Sequence, residues 1–475
     1  MMIGIPGGNK HFVFFLVTFM IALLCVCWTS FGNEKFVEKI DFNVSLDYSR
    51  DESTKITIPV VRVLSNSSNI PIIFLGPGYG YGNIPKGFMV FRESFPNNSF
   101  YFIGYRGVES DISPPDNHIK PLSTMKLEDI DEKLLQKMAN RTLKGINLNN
   151  FWIPSRAQDI IRFIDHENIP YINLLSIGEY GSHIAHELMS QIANRIKRTV
   201  FVSPVVANPH NDTSERLLGI FRRVCKKDSL CPYKYTRWLP DIIPTRVMGV
   251  FNINPSRTRF VTSMQIRSPS TYKTALESLM AITNGSPFGY MALTGSPGPE
   301  MMKLKWIDMA MLVCSTPSDN SLLFPDNLKL ICPYLPQFHT NRPTKFETPI
   351  LIISGDFDLP RPRTQLMFYK NNSLMPTIVD QIFLNLSFSR YELGRSDVSS
   401  AISSYLNDGN TVFDINQTQK IEWKSAFPVV NSIKYILLSG VVISLVIGFF
   451  IFRKSAKEEK KDHAFRKWKK NLKEE

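Results

Sequence analysis

The chain has 475 residues, of which 43% are apolar and 12% aromatic, with 31 prolines and a formal net charge of +13. This composition excludes an intrinsically disordered chain and predicts a folded, loop-rich protein with room for one large domain or two ordinary ones. Residues 453–475 hold ten Lys/Arg and five acids, so +5 of the charge lies in that tail. The remaining charge is dispersed without an interleaved basic and aromatic face, and we therefore expect no nucleic-acid partner.

Two apolar segments lie near the chain ends. Residues 11–28 are followed by small residues ahead of a candidate cleavage point before Asn33, which predicts a signal peptide over residues 1–32, or alternatively an uncleaved signal-anchor. Residues 435–452 are 18 uncharged residues with a basic flank on their C-terminal side, which predicts a transmembrane helix rather than a buried core helix. The pattern predicts a type I single-pass protein of the cell surface or an endomembrane, with its ectodomain lumenal or extracellular.

Glycosylation signals support that orientation. Nine Asn-X-Ser/Thr acceptors occur, all between the two apolar segments, and Asn284 is the poorest because Pro287 follows its serine. We predict N-glycans at the other eight positions, which are Asn43, Asn66, Asn97, Asn140, Asn211, Asn371, Asn385 and Asn416.

Four cysteines lie in the same interval, at Cys225, Cys231, Cys314 and Cys332. An even number in an oxidising compartment predicts two disulfides. We favour Cys225–Cys231 with Cys314–Cys332 because these partners are close in sequence; free buried thiols are the alternative.

Short β-branched and aromatic runs alternate with helical patterns along the chain. The runs predict strands at residues 56–64, 71–75, 99–105, 171–177, 199–204, 348–354 and 377–386. Helical patterns occur at residues 155–168, 181–196 and 396–408. Continuous apolar strands between amphipathic helices predict an α/β fold with a mostly parallel sheet covered on both faces.

The same alternation sets the domain boundaries. We predict a core over residues 33–206 and 346–408, interrupted by a cap insertion over residues 207–345 that is rich in proline, methionine and aromatic residues. A polar stalk is predicted over residues 409–434 and a basic cytosolic tail over residues 453–475. In the tail, one helical face carries Phe465, Trp468 and Leu472, which suits an interfacial helix; a solvated charge run is the alternative.

Four motifs carry the chemistry, each at the end of a predicted strand. Residues 71–83 run into a glycine–proline loop, and residues 102–114 into an Arg-Gly turn. Residues 174–189 turn at glycines from a strand into a helix, with Glu179 at the apex. Residues 348–362 end in Asp356 and Asp358 beside a proline-rich turn.

In this order the motifs resemble those of the prolyl and tripeptidyl aminopeptidase family of serine peptidases, within the α/β-hydrolase fold. The family's His-Gly-Gly-Pro-Gly loop corresponds to residues 74–78, which keep Gly-Pro-Gly, and its Asp-Gln-Arg-Gly motif to residues 104–107, which keep Arg-Gly. Its Gly-X-Ser-Tyr-Gly elbow corresponds to residues 177–181, where Glu179 replaces the serine nucleophile. Its acid-bearing turn places Asp358 in the position of the catalytic acid. The resemblance covers most of residues 55–408 and matches the cap by position alone.

The resemblance also shows what the chain lacks. The family's catalytic histidine follows the last strand, near residues 388–390, but there is no histidine between His339 and His463. A serine nucleophile needs a base, and the base needs a carboxylate to orient it. Because two of these three roles are missing, we predict a degenerate site without catalysis.

Other residues near the elbow do not replace the triad. Ser176 and Ser182 flank the apex outside the exposed turn, where a strand end and a helix first turn are expected. The spacing of His183 and His186 suggests zinc, but buried or surface histidines are favoured on this helix. We therefore expect neither a metal nor a cofactor.

We also hypothesise a role for Glu179, which a helix N-terminus favours as an anion. Its side chain would fold into the former oxyanion hole and accept hydrogen bonds from Tyr180 N–H and from the loop at Gly76 and Gly78. Sequence drift after the loss of catalysis is the alternative.

These expectations describe a membrane-anchored, glycosylated, hydrolase-like ectodomain used for binding or adhesion, with a peptide or protein as ligand. Two alternatives remain open. One is an active membrane-bound aminopeptidase or hydrolase with unconventional catalytic residues. The other is an inactive enzyme that captures peptide N-termini under its cap through Glu179 or Asp358.

Overall fold

The computed structural model of the chain describes residues 36–205 with short gaps, parts of 246–291, residues 304–315 and 326–339, and residues 343–415 with short gaps. The chain divides into two compact units, Met1–Ile421 and Glu422–Glu475, and the described residues belong to the first. Within them, no helix is both long and apolar enough to cross a membrane. The predicted signal peptide, transmembrane helix and tail, together with Cys225, Cys231, Asn211 and Asn416, lie outside the described residues.

Eight of the described strands form one sheet, in the order β1-β2-β4-β3-β5-β6-β9-β10. Strand β2 is antiparallel to β1 and β4, and the other neighbouring pairs are parallel. The strands are β1 Val37–Ser45, β2 Lys55–Val63, β3 Ile72–Leu75, β4 Phe100–Ile103, β5 Ile172–Ile177, β6 Ile196–Val202, β9 Ile350–Gly355 and β10 Val379–Leu384; β7 Arg246–Val247 and β8 Phe251–Asn252 form a separate antiparallel pair.

Helices cover both faces of the sheet. They are α1 Met89–Ser94, α2 Glu132–Leu143, α3 Ile153–His166, α4 Gly178–Ile192, α5 Trp306–Ser315, α6 Asp326–Lys329, α7 Pro362–Asn371 and α8 Ser396–Asp408. On one face α4 packs against α3 and the central strands, and its His186 contacts Tyr369 of α7. On the other face, α8 and the residues around α1 close an apolar core that includes Phe95, Val398 and Ile402. Strands β5 and β9 are buried along their whole length, and their sequences are mostly apolar on both faces, with Asn173, Ser176 and Ser354 as buried polar exceptions.

The main sheet is interrupted between β6 and β9, where the chain leaves at Val202 and returns at Ile350. Helices α5 and α6 lie in this interval, and α5 is buried from Trp306 to Val313, so other parts of the protein surround it. A disulfide joins Cys314 at the end of α5 to Cys332, which confirms this predicted pairing.

Candidate functional site

The turn from β5 into α4 is immediate, because β5 ends at Ile177 and α4 begins at Gly178. Gly178 has a φ of +68°, a left-handed conformation that glycine adopts without strain. Glu179 therefore follows the sharpest point of the turn and lies in the first turn of α4. A Cβ atom on Gly181 would lie 2.5 Å from the Leu75 carbonyl oxygen, so glycine permits α4 to approach the end of β3 closely.

The Glu179 side chain points into the protein and is only 2% exposed. Its Oε1 atom lies 3.9 Å from Nε2 of His183, which is one turn further along α4 and also buried. Neither ring nitrogen of His183 has a hydrogen-bond partner among the described residues. Glu179 thus lies in the first turn of a helix, a position that favours an anion, and its carboxyl group lies beside His183.

The loop after β3 is closed on itself beside the elbow. The Gly76 N–H donates to Asn83 Oδ1 at 2.6 Å, and Asn83 Nδ2 donates to the carbonyl oxygens of Phe74 and Ile103. A Cβ atom on Gly78 would lie 2.2 Å from the Tyr180 ring, so the loop packs directly against the residue that follows Glu179. Of the three groups predicted to form an oxyanion hole, the Gly76 amide is therefore already hydrogen-bonded within its own loop.

The acid position has a structural role, and so does the segment that follows the base position. Asp358 Oδ2 accepts a hydrogen bond from Gly355 N at 2.7 Å, and Asp358 N donates to Gly355 O, which closes the turn after β9. After β10, where the histidine of the resembling family would lie, residues Ser389–Gly394 form a 3₁₀ helix. Leu393 of this helix is buried in the apolar core.

The remaining candidates near the elbow are buried and separated from one another. Ser176 and Ser182 are fully buried, and Ser182 Oγ donates to the Gly178 carbonyl oxygen. His186 Nε2 lies 3.0 Å from Tyr369 Oη, whereas His183 faces Glu179, so the two histidines do not converge on one point. Within the described part of the chain, no group of three His, Cys, Asp or Glu side chains is arranged to hold a metal ion.

The sequence did not reveal a buried ion pair below the Arg-Gly turn. Arg106 Nε and Nη2 donate to the two oxygens of Asp159 on α3, at 2.6 and 2.5 Å. The other Arg106 N–H groups donate to the carbonyl oxygens of Ser45, Leu46 and Asn150. Burial raises the pKa of Asp159, and the Arg106 guanidinium opposes that rise. The retained arginine of the motif therefore joins β1, β4 and α3.

A second unforeseen contact joins the insertion to the elbow. Asp308 of α5 accepts hydrogen bonds from Arg156 Nη2 on α3 at 2.6 Å, from Gly80 N at 2.9 Å and from Tyr180 Oη at 3.3 Å. The available sequence signal was a lone acidic residue in an otherwise apolar helix. One carboxylate of the insertion thus contacts both the elbow helix and the loop after β3, and beside it the Lys305 N–H donates to the Gly80 carbonyl oxygen at 3.1 Å.

Comparisons with known proteins add structural likenesses. No family model and no curated protein matches the chain. A serine hydrolase from Cycloclasticus zankles is similar at 10% identity, over 78% of this chain and 99% of that chain, with a TM-score of 0.39. Proline iminopeptidase from Mycobacterium smegmatis is similar at 11% identity, over 77% and 97%, with a TM-score of 0.38. An esterase from Thermogutta terrifontis is similar at 12% identity, over 77% and 98%, with a TM-score of 0.36.

These overlaps are too weak to bear on function, and the sheet itself identifies the fold. A mostly parallel eight-stranded sheet with an antiparallel second strand, an immediate strand-to-helix elbow after β5 and an insertion after β6 is the architecture of the α/β-hydrolase fold. The predicted α/β-hydrolase fold with a mostly parallel sheet is therefore confirmed, whereas the signal peptide and the transmembrane helix stay predictions. Fold alone does not establish activity, which depends on the residues at the site.

Proposed function

We propose that this α/β-hydrolase-fold protein is a single-pass, N-glycosylated membrane protein whose ectodomain has no hydrolase activity and serves in binding or adhesion. The observation that carries the proposal is the buried carboxylate of Glu179 at the nucleophile position. A peptide or protein is the proposed ligand, and the ectodomain is proposed to be lumenal or extracellular.

The nucleophile and base positions support the loss of catalysis. A carboxylate cannot perform the proton-coupled attack of a serine, and a covalent ester formed by it would still need a base to activate water. The segment that would supply the histidine instead contributes Leu393 to the apolar core. No histidine occurs between His339 and His463, so the chain supplies no base at this position.

The state of the oxyanion loop gives independent support. Stabilising a tetrahedral intermediate requires N–H groups aimed at the developing oxyanion, and loss of one donor costs about 10²–10³ in rate. The Gly76 N–H already donates to Asn83 Oδ1 at 2.6 Å. To bind the Gly76 N–H, an oxyanion would have to displace Asn83 Oδ1. The Asn83 side chain is held in place because its Nδ2 donates to the carbonyl oxygens of Phe74 and Ile103.

The membrane and glycosylation parts of the proposal come mainly from the sequence. The structure adds that every described glycosylation candidate is exposed, as an acceptor asparagine must be; these are Asn43, Asn66, Asn97, Asn140, Asn371 and Asn385. Treatment of the expressed protein with an endoglycosidase should lower its apparent mass, and the untreated protein should stay in the membrane pellet after alkaline carbonate extraction. An unchanged mass would contradict glycosylation, and release into the supernatant would contradict the membrane span.

Fluorophosphonate labelling tests the loss of catalysis. The purified protein should remain unlabelled under conditions that label an active serine hydrolase, and Glu179→Ser alone should give no turnover of aminoacyl or ester substrates because the base is absent. Labelling of the wild-type protein that disappears in Ser176→Ala or Ser182→Ala would establish an active hydrolase instead. Turnover by Glu179→Ser would show that a base lies elsewhere.

A further inference from the structure

The geometry points to a carboxylate-binding site between α3, the start of α4 and the loop after β3, whose resident occupant is the chain's own Asp308. The site takes the carboxylate group of a ligand in place of Asp308. This inference goes beyond the proposed function and does not depend on whether the elbow is catalytic.

Three donors from three separate core elements meet at this carboxylate. Arg156 Nη2 of α3 lies 2.6 Å from Asp308 Oδ1, and Tyr180 Oη of α4 lies 3.3 Å from the same oxygen. The backbone N–H of Gly80 donates to Oδ2 at 2.9 Å. The two carboxylate oxygens are thus bound by a guanidinium, a phenol and a backbone amide. The charged hydrogen bond from the guanidinium is the strongest of the three.

The Arg156 guanidinium is held in place independently of its partner. Its Cζ atom lies 5.2 Å from the Tyr105 ring centroid and 5.0 Å from the Tyr180 ring centroid, and Nη2 also donates to the Arg106 carbonyl oxygen. Stacking against aromatic rings fixes the plane of a guanidinium. Removing Asp308 therefore leaves an oriented cation.

The guanidinium also has unused donors. Arg156 is 1% exposed, and its Nε and Nη1 atoms have no hydrogen-bond partner among the described residues. Asp308 engages one edge of a group that binds carboxylates best through two parallel hydrogen bonds. A ligand carboxylate, which is not attached to α5, could also accept hydrogen bonds from Arg156 Nε or Nη1, which Asp308 does not use.

The occupant and the donors belong to different parts of the chain. Asp308 is carried by α5 in the insertion, whereas all three donors lie on the hydrolase core. The residues of α5 next to Asp308 are apolar, so the Asp308 carboxylate is the polar group through which this part of the helix binds the hydrolase core. Binding of a ligand carboxylate and docking of Asp308 are consequently exclusive at the same three donors.

Chemical rescue by acetate tests the site. Asp308→Ala should lower the melting temperature, and sodium acetate should then raise it saturably by about 1–3 °C relative to sodium chloride at equal ionic strength. The wild type and Asp308→Ala/Arg156→Ala should show no acetate-specific rise. Asp165→Ala is the matched control, because it removes an exposed carboxylate that pairs with Arg195 at the surface. Equal melting temperatures of Asp308→Ala in acetate and in chloride would overturn the inference.

Hydrogen–deuterium exchange on the wild-type chain gives a second test, which applies even if Asp308→Ala fails to fold. Three acetylated peptides are compared: one with a free C-terminal acid, one with an amidated C-terminus, and one amidated but with an acidic side chain. A peptide that displaces Asp308 should accelerate exchange in residues 306–315, and the three peptides distinguish a terminal from a side-chain carboxylate. Equal exchange in residues 306–315 with all three peptides and without peptide would overturn the inference.

Discussion

Replacement of Arg106 by lysine tests whether the retained Arg-Gly motif is structural. Arginine has five N–H donors, and all five of those on Arg106 are used: two to Asp159 and one each to three backbone carbonyl groups, with Nη1 serving two of these. Lysine has three donors on a single nitrogen. Arg106→Lys therefore keeps the charge but loses at least two of the five hydrogen bonds.

The size of the loss follows from the burial of the acceptors. Each buried acceptor left without a donor costs about 1–3 kcal/mol. The Asp159 carboxylate is fully buried, whereas the carbonyl groups of Ser45, Leu46 and Asn150 are partly buried and can turn towards water. We therefore expect Arg106→Lys to lower the free energy of unfolding by about 2–4 kcal/mol, which is a large fraction of the roughly 5–15 kcal/mol typical of a folded protein.

Urea unfolding of the purified protein measures this loss as a lower midpoint at an unchanged m value. Arg50→Lys is the matched control: the Arg50 side chain is 79% exposed, and its Nε lies 3.5 Å from Oδ2 of Asp47. That substitution should change the free energy of unfolding by less than about 0.5 kcal/mol. If both variants unfold at the same urea concentration, the assignment of a structural role to Arg106 is refuted.

Two further predictions concern pH and the disulfide. Burial raises the pKa of Glu109 above its ordinary 4.5, so its contribution to stability is fully present below pH 4.5 and is lost as the pH rises through the raised folded-state value. Urea unfolding across this range should show a flatter pH profile for Glu109→Ala, and parallel profiles would contradict the prediction. Cys332→Ser should lower the free energy of unfolding by about 2–4 kcal/mol in non-reducing buffer, and its urea midpoint should equal that of the wild type when both proteins are measured in reductant; equal midpoints without reductant would contradict the prediction.

The sheet was largely predictable from the sequence because its strands are short, apolar and buried. All seven predicted strands are present in the structure. Strand β1 was missed, although its Ile40, Phe42 and Val44 alternate with polar residues. It lies at the sheet edge and has one buried residue, Val44, so it lacks the strongly apolar sequence of the central strands. The register between neighbouring strands was not predictable, because similar apolar runs permit several alignments.

The site was predictable in position but not in its contacts. Parallel strands end at one edge, so the motifs at Gly76, Glu179 and Asp358 were bound to lie on the same side of the sheet. The bond from Arg106 to Asp159 spans 53 residues and that from Tyr180 to Asp308 spans 128, and no local periodicity relates such pairs. Asn83 was missed for a different reason: an asparagine in a glycine loop predicts a turn and does not reveal which backbone groups its amide will bind.

The motif residues that persist and those that are missing differ in their physical roles. Gly78 and Gly181 permit close packing of the loop and α4, Arg106 binds three elements, and Asp358 closes its own turn. Each would cost stability if replaced. The missing serine and histidine of the resembling family act only on a substrate, so the fold tolerates their absence. Glu179 places a buried carboxyl group in the first turn of a helix, a position that favours an anion, and the buried Arg156 is paired with Asp308 at 2.6 Å. The elbow is therefore a close-packed junction at which Glu179 is buried beside His183, and Arg156 is paired with Asp308.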